Sequence, residues 1–164
     1  MIVGGNLVFT DTYRNRLYSL PKNLTREMEQ VEPLWTSRAK PYSSTPIETD
    51  EALLCFDGSG VLTVLNKLTG ETIDKQRLVG FSDKKSNGIR AKSSFSSPIL
   101  VGDHVIAVFG MGDTMVLAKE GLFYKTKYTN RLGDEEETFL ATPAVTRDEL
   151  LIRSDKYLYC ISKN

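Results

Sequence analysis

Short apolar runs separated by polar turns recur along the chain, most clearly in residues 46–76. There, Ala52–Phe56 is a compact apolar run, and residues 61–65 form a second run that is rich in β-branched side chains. Such runs are typical of buried strands. The turn between them, residues 57–60, combines Asp, which can hydrogen-bond its own backbone, with Gly, which reaches positive φ without strain. Residues 71–76 are polar and can return as an outer strand, so the segment predicts an antiparallel β-module.

The same module recurs before and after this segment. A tripeptide of two small residues and a proline precedes three of the modules: Ser44-Thr45-Pro46, Ser96-Ser97-Pro98 and Ala141-Thr142-Pro143. The prolines are 52 and 45 residues apart, and two apolar runs follow each of them. A further unit starts at Ile2 without its proline, and the last unit stops after its second apolar run, at Asn164. The sequence therefore predicts four units, at roughly 1–40, 41–92, 93–138 and 139–164.

A repeat of about 45 residues with several strands is the signature of a β-propeller, in which each four-stranded sheet is one blade. We therefore expect an all-β chain, a single domain over residues 1–164. It should form a partial β-propeller of about four four-stranded antiparallel blades, with the first and last blades incomplete. Each blade would bury its faces against its neighbours. The two end units should each lack a strand and expose backbone edges, which a missing N-terminal half or a second copy of the chain could cover.

Two connections between units carry opposite charge, since residues 80–92 are basic and residues 134–137 are acidic. The basic side chains are Lys84, Lys85, Arg90 and Lys92. Both connections precede the first strand of a unit, so a propeller would place them on one rim, together with the turns that follow each first apolar run. They are interpreted either as two arms of a binding face or as solvated surface loops.

The long connection inside the first unit, residues 21–33, is polar. It could hold one helical turn starting near Thr25, and residues 34–36 would then form the outer strand of the unit. Asn23-Leu24-Thr25 matches the glycosylation sequon, as an acceptor site or as a chance match in a solvated loop.

Composition and charge argue against several classes of function. The chain is 40% hydrophobic and 26% charged, as is usual for soluble globular proteins. Lys+Arg and Asp+Glu are both 21, so the chain lacks the excess of positive charge on which non-specific nucleic-acid binding depends. No apolar run approaches the roughly 20 residues that span a bilayer. We expect no nucleic-acid partner, no membrane span and no signal peptide, because the N-terminal residues lack a basic segment that leads into a long apolar core.

The two cysteines, Cys55 and Cys160, each lie inside an apolar run. They could form a disulfide or a metal pair, but two cysteines without a nearby histidine cluster do not make a zinc site. The preferred interpretation is two small buried apolar residues. Alignment of the units supports it, because Cys160 falls in the column of Ser19, Val64 and Leu117.

Other candidate groups are better explained as turn residues. His104 lies in a tight Gly-Asp-His turn with no sequence-local nucleophile to serve as a catalytic base. The run Gly110-Met111-Gly112-Asp113 is not followed by a helix that could bind a phosphate, so it predicts a β-turn. Asp57 and Asp155 follow first apolar runs, where Asp is favoured for backbone hydrogen bonding, with a calcium role as the alternative.

The turns of the second unit carry a resemblance to a known family. Asp57-Gly58, followed by Val64-x-Asn66-x-x-Thr69-Gly70-Glu71, resembles the repeat of the PQQ-like (quinoprotein-type) β-propellers. The last unit, from Thr142-Pro143 to Ile161, resembles the closing blade of bacterial members. The resemblance covers nearly the whole chain. It implies a ring of about seven or eight blades, of which this chain resembles the C-terminal part, and a periplasmic or exported location.

The chain also departs from the pattern of that family. The tryptophan that ends each family blade and locks it to its neighbour is kept as Trp35 in the first unit. It falls at Asp74 in the second unit, and Phe123-Tyr124 stand near it in the third, so the resemblance implies a looser second unit. Quinone-dependent dehydrogenases of the family use adjacent cysteines over the cofactor and a calcium ion held by acidic and amide side chains. This chain has no adjacent cysteines.

Three functions are compatible with these features. The leading hypothesis is a non-enzymatic scaffold that binds a protein or ligand through a blade-top rim, as a fragment or half of a larger propeller. The alternative, part of a PQQ-dependent dehydrogenase, rests on the resemblance alone. A third is a carbohydrate-binding propeller with Tyr128, Phe139 and Phe81 as rim aromatics. The expected partner is a protein or a second propeller half, with a homodimer among the options. The sequence predicts no catalytic, cofactor-binding or metal-binding residue and no cofactor.

Overall fold

A computed structural model describes residues 1–24, 31–41, 43–82, 85–86 and 88–162, with side chains for all of these except 85–86. The described residues form strands and turns and contain no helix, so none of them belongs to a helix long and apolar enough to cross a membrane. The helical turn expected near Thr25 falls outside the described residues, as does one residue of the sequon at 23–25.

The strands form four antiparallel sheets in chain order, with one small two-stranded ladder in a connection. Sheet 1 contains β1 (Ile2–Val3), β2 (Asn6–Asp11), β3 (Arg16–Leu20) and β4 (Trp35–Ser37). Sheet 2 contains β5 (Ile47–Glu48), β6 (Ala52–Phe56), β7 (Val61–Asn66) and β8 (Thr72–Arg77). The ladder pairs β9 (Lys85–Ser86) with β10 (Ile89–Arg90). Sheet 3 contains β11 (Ile99–Val101), β12 (His104–Val108), β13 (Asp113–Glu120) and β14 (Phe123–Arg131). Sheet 4 contains β15 (Ala144–Val145), β16 (Glu149–Arg153) and β17 (Leu158–Ser162).

This arrangement confirms the all-β partial propeller. One detail is corrected: the first sheet is complete, because Ile2 and Val3 pair with Leu7 and Asn6 to form β1. Two residues are too few for a hydrophobic pattern, so the sequence did not reveal this strand. In the described part of the chain, sheet 4 has three strands, as expected for the last unit.

Strand register shows that the four sheets repeat position by position. Val64 pairs with Leu54 in sheet 2, and Cys160 pairs with Leu151 in sheet 4. The matching pair in sheet 3 is Ile106 with Val116, so the column of Cys160 contains Val116 and not Leu117. The alignment of apolar runs was wrong there by one residue, which moves a side chain to the opposite face of a strand.

Adjacent sheets pack face to face, and we call each such interface a seam. Side chains alternate along a strand, so sheets 2 and 3 each direct one set of side chains to the preceding sheet and the other set to the following sheet. At seam 2–3, for example, Leu54 and Leu62 pack in one buried cluster with Val105 and Phe109. Burying such a side chain contributes about 1.5–3 kcal/mol. The seams therefore supply most of the apolar burial in the fold.

The two cysteines show how burial depends on a neighbouring sheet. Cys55 is buried at seam 1–2, and this burial raises the pKa of its thiol to about 12. Cys160 is exposed on the outer face of sheet 4, so the expectation that it is buried was wrong. The residue at the equivalent position of sheet 2, Val64, is buried in the core. No described residue packs over the face of sheet 4 that carries Cys160.

Seam 1–2 is stabilised by a tryptophan that packs against a turn of sheet 2. Trp35 is buried in the cluster that includes Val8 and Leu53, and its ring lies against Gly70. A Cβ atom at Gly70 would lie 2.5 Å from Cε3 of Trp35, and Gly70 has φ of +72°. Only glycine combines this conformation with such a close approach.

Seam 2–3 is stabilised by hydrogen bonds and an ion pair instead of a tryptophan. Asp74 accepts a hydrogen bond from Nε2 of Gln76, which also donates to the carbonyl oxygen of Tyr124 at 2.6 Å. The fully buried carboxylate of Asp113 accepts hydrogen bonds from the backbone and hydroxyl of Ser82 and lies 2.9 Å from Nε of Arg131. Asp74, which occupies the position of the family's tryptophan, is thus part of a hydrogen-bond network that crosses the seam through Gln76.

Seam 3–4 is organised by one buried carboxylate, Glu137. It accepts hydrogen bonds from the hydroxyls of Ser154 and Tyr159 and from the backbone N–H of Asp134. Burial by itself raises the pKa of Glu137, but these hydrogen bonds outweigh it and leave the pKa below its usual value of 4.5. Burial, together with the hydrogen bond to Glu137, raises the pKa of Tyr159 to about 12.

The small-small-Pro tripeptides link the sheets through their backbone. The N–H of Thr45 donates to Oγ of Ser97 at 2.8 Å, and the N–H of Ser97 donates to Oγ1 of Thr142 at 3.1 Å. The hydroxyl residue before each proline therefore joins one connection to the next.

Three alanine substitutions separate the effects of backbone and packing at the Trp35 lock. Gly70→Ala should lower the free energy of unfolding by at least about 2 kcal/mol, because it adds a clash to an unfavourable φ. Gly5→Ala, with φ of +82° but no described atom within 4 Å of the new Cβ, should cost about 1 kcal/mol. Gly58→Ala should be near neutral. Denaturant unfolding measures all three, and equal costs for Gly70→Ala and Gly5→Ala would contradict the lock.

The Glu137 network predicts a pH-dependent stability. Glu137→Gln should destabilise the protein by about 1–3 kcal/mol at neutral pH, because it replaces a carboxylate that accepts three donors. Because the pKa is lowered in the folded state, the wild-type advantage should be complete above pH 4.5 and disappear as the pH falls through the lowered pKa. Glu136→Gln, at an exposed neighbour, is the matched control. A wild-type advantage that does not change with pH would count against this assignment.

Candidate functional site

The antiparallel order places two kinds of loop at opposite ends of the sheets. We call one end the loop rim; it contains the turns at 12–15, 57–60, 109–112 and 154–157 and the connections at 38–46, 78–98 and 132–143. We call the other end the hairpin rim; it contains the remaining turns, including those at 49–51, 67–71 and 102–103. The basic and acidic connections both belong to the loop rim.

Carboxylates on the loop rim are engaged in holding the backbone. Asp57 accepts hydrogen bonds from the N–H groups of Ser59 and Val61, as the turn prediction requires. Asp155 accepts from the N–H of Thr138, and this hydrogen bond lowers its pKa. Asp155 therefore joins its turn to the neighbouring connection. The described residues contain no group of three His, Cys, Asp or Glu side chains able to hold a metal ion.

The acidic run divides into an outer part and a buried part. Asp134, Glu135 and Glu136 are exposed, whereas Glu137 is buried at seam 3–4 and is not available to a partner. Lys156 lies 3.1 Å from Glu136 and 3.8 Å from Asp134, and the contact with Glu136 raises the pKa of the lysine. The acidic arm of the rim therefore consists of three residues with one lysine beside them.

The basic connection is anchored at its start by packing. Phe81 is half-buried, with its ring edge-on to Phe109 at a centroid distance of 4.8 Å. Further along, Arg90 is exposed and Lys92 is half-buried. Lys84 and the side chain of Lys85 lie outside the described part of the structure.

The three aromatic residues expected to bind carbohydrate do not form one site. Phe139 is fully buried against Tyr159, and Phe81 is held by Phe109. Tyr128 is exposed but belongs to the outer strand β14, opposite Val116. The placement of Phe139 on an accessible rim was wrong, because this side chain fills seam 3–4.

The remaining sequence candidates lie in structural positions. His104 begins β12 on the hairpin rim and is exposed. The glycine run at 110–113 forms the turn between β12 and β13, where the N–H of Gly112 donates to the carbonyl oxygen of Phe109 at 3.0 Å. Asp113, the last residue of that run, is the buried carboxylate of seam 2–3.

The sequence did not reveal a cavity on the hairpin rim between sheets 2 and 3. Its volume is about 370 Å³, and it is lined by Glu48, Thr49, Asp50, Lys67, Leu100, Gly102, Asp103, Lys119 and Tyr124. These residues come from four separate turns and strand ends, so no local motif joins them. The recurrence of acidic residues in the turns at 49–51 and 102–103 was the one available signal.

Ion pairs fix the walls of this cavity. Glu48 accepts hydrogen bonds from the N–H of Gly4 at 2.9 Å and from Nζ of Lys67 at 3.0 Å. Burial opposes ionisation of Glu48, but these two donors bring its pKa below the usual value. On the other side, Lys119 lies 3.0 Å from Glu51, which raises the pKa of the lysine. Both lysines are thus engaged with carboxylates, and the cavity is polar with mixed charge.

The described residues do not bring together the donors that a quinone and calcium centre would need. Cys55 is buried at seam 1–2, and Cys160 is exposed on sheet 4, so the two thiols cannot form an adjacent pair over a cofactor. The carboxylates at 57, 113, 137 and 155 are occupied by N–H and hydroxyl donors of the chain itself. These residues do not fit the cofactor of the quinone-dependent dehydrogenases.

Comparison with solved structures identifies several similar chains. BamB from Moraxella catarrhalis matches with a TM-score of 0.69 and 16% identity, over 98% of this chain and 48% of that chain. A europium-containing methanol dehydrogenase matches with a TM-score of 0.53 and 14% identity, over 79% of this chain and 23% of that one. The N-terminal domain of Nup159 matches with a TM-score of 0.55 and 12% identity, over 93% of this chain and 37% of that one.

These likenesses concern the fold, since all the identities are below 25%. No protein-family model matches the chain, and no curated protein matches it either. The chain spans about half the length of the BamB chain and a smaller share of the other two. The resemblance to the PQQ-like β-propellers, first recognised in the turns of sheet 2, is confirmed by the similarity to BamB and to the methanol dehydrogenase.

Proposed function

We propose that this chain is a non-enzymatic propeller scaffold that binds a protein segment on its loop rim. The observation that supports this most directly is that some carboxylates of the loop rim accept backbone hydrogen bonds while others are exposed. The carboxylates of Asp57, Asp134, Glu137 and Asp155 accept hydrogen bonds from backbone N–H groups. Their neighbours Glu135 and Glu136 are exposed and accept none from the described backbone. Exposed charges on ordered turns suit recognition of a polar partner.

Pre-ordered turns favour binding over catalysis at this rim. A loop that is already held by hydrogen bonds loses less conformational entropy when a partner docks. Glu136 and Arg90 provide charges of opposite sign, so an extended segment with both acidic and basic side chains would find complementary partners. Complementary charge increases specificity and the rate of association.

A protein complex contains a chain similar to this one. The structure is that of S. cerevisiae Dbp5 bound to Nup159 and Gle1, and the similarity has a TM-score of 0.54 and 12% identity over 92% of this chain and 36% of that chain. By resemblance to the PQQ-like propellers, we place the protein in the periplasm or outside the cell. We further propose that the four sheets act as one half of a larger propeller, completed by further sheets.

A peptide library displayed on phage tests the rim directly. We expect selection on the immobilised chain to yield peptides that bind in solution. The double variant Glu135→Lys/Glu136→Lys should weaken this binding at least about tenfold, equivalent to about 1.4 kcal/mol. Isothermal titration calorimetry with the selected peptides measures the loss.

A charge-matched control lies at the opposite end of the sheets. Asp50→Lys/Asp103→Lys makes the same change in net charge on the hairpin rim, beside the 370 Å³ cavity, and should leave peptide binding unchanged. If the hairpin-rim variant is the one that loses binding, or if selection returns no binder, the loop rim is not the binding surface.

A further inference from the structure

The first and last sheets each present an apolar face that no described residue covers. On sheet 1, the face turned away from sheet 2 carries Ile2, Leu7, Phe9, Tyr18 and Leu20, which we call the N-face. On sheet 4, the face turned away from sheet 3 carries Ala144, Leu151, Arg153, Leu158 and Cys160, which we call the C-face. Ile2 is 60% exposed and Phe9 is 41% exposed, and on the C-face Leu158 is 66% exposed.

These side chains occupy the same columns that form the interior seams. The pair Leu151 and Cys160 on the C-face corresponds to Leu54 and Val64, which sheet 2 presents to sheet 3. Leu158 pairs with Arg153 as Leu62 pairs with Phe56. The C-face is therefore a seam surface that lacks its following sheet.

The N-face corresponds to the face that an interior sheet presents to the sheet before it. Leu7 pairs with Leu20 as Val105 pairs with Leu117 in sheet 3, and both of the latter pack against sheet 2. Phe9 stacks on Tyr18 at a centroid distance of 5.3 Å, in the columns of Ala107 and Met115. The N-face is therefore a seam surface that lacks its preceding sheet.

Charge at the edge of the two faces agrees with this match. Arg153 occupies the column of Phe56, and Asp11 occupies the column of Phe109, since it lies two residues beyond Phe9 on the same face. Phe56 and Phe109 belong to one buried cluster at seam 2–3. A seam of the same geometry between the C-face and the N-face would bring the side chain of Arg153 near Asp11, whose carboxylate accepts a hydrogen bond from the N–H of Arg14 at 2.9 Å in the single chain.

We propose that the two faces are covered by a second copy of this chain, with the N-face of each copy on the C-face of the other. A twofold axis makes both new seams identical, so the assembly closes. Two arcs of four sheets give a ring of eight, and one arc aligns with 48% of the BamB chain. Each new seam repeats a contact that the chain already makes three times internally.

Light scattering coupled to size exclusion tests the pairing on the chain as it is. The expected mass is twice 18.4 kDa at high concentration. Phe9→Glu and Leu158→Glu should each give a monomer, because each introduces a carboxylate into a seam. Both side chains are exposed in the single chain, so its circular dichroism should stay unchanged. Tyr13→Glu, on an exposed turn outside both faces, should remain dimeric.

Mixing the two monomeric variants tests the head-to-tail geometry. The Phe9→Glu chain keeps its C-face and the Leu158→Glu chain keeps its N-face, so the mixture should form a heterodimer through one intact seam. A wild-type chain that stays monomeric at its highest soluble concentration would overturn the proposal, and would favour further blades of another chain segment as the cover. A dimer that survives either single variant would also overturn it.

This inference stands apart from binding at the loop rim. The variants at 135 and 136 should leave the mass of the dimer unchanged, and Phe9→Glu should leave peptide binding unchanged. Failure of one proposal therefore leaves the other intact.

Discussion

The two-residue period of the strands is the constraint on which the whole structure depends. Because successive side chains point to opposite faces, a strand such as β6 must be apolar on both sides when sheets lie before and after it. Leu53 and Cys55 pack on sheet 1, while Leu54 and Phe56 pack on sheet 3. No sheet has a core of its own, so the stability of each one depends on its neighbours.

Although the seams share one geometry, each is locked by different chemistry. Seam 1–2 uses the ring of Trp35 on a glycine turn, seam 2–3 uses the side-chain amide of Gln76, and seam 3–4 uses the carboxylate of Glu137. A buried carboxylate is tolerated because its hydrogen bonds offset the cost of desolvation. The contact between Trp35 and Gly70 lies at the turn 67–71 on the hairpin rim, whereas Glu137 lies in the connection 132–143 on the loop rim. The contacts that hold the sheets together therefore also hold loops at both ends of the sheets.

Local patterns predicted the fold, whereas contacts between sheets decided the details. The role of Asp57 in its turn was readable from the sequence because it depends on neighbours in the chain, and the small-small-Pro tripeptides were readable because they recur. The exposure of Cys160 and the burial of Phe139 were not, since an apolar residue in a strand looks the same with or without a sheet beyond it. Glu137 looked like part of a solvated acidic run because its hydrogen-bond donors Ser154 and Tyr159 are far from it in the sequence. The hairpin-rim cavity joins turns that are far apart in the chain, which no local motif records.

The hydroxyl links at Thr45, Ser97 and Thr142 have a consequence for how such a chain can change. They join successive connections at one point, next to a proline of fixed φ, and so hold the start of one sheet to the start of the next. Residues inserted between these points, as in the longer spacing that contains β9 and β10, add length outside the linked positions. The connections can therefore vary in length and charge while the contacts between the starts of successive sheets are kept.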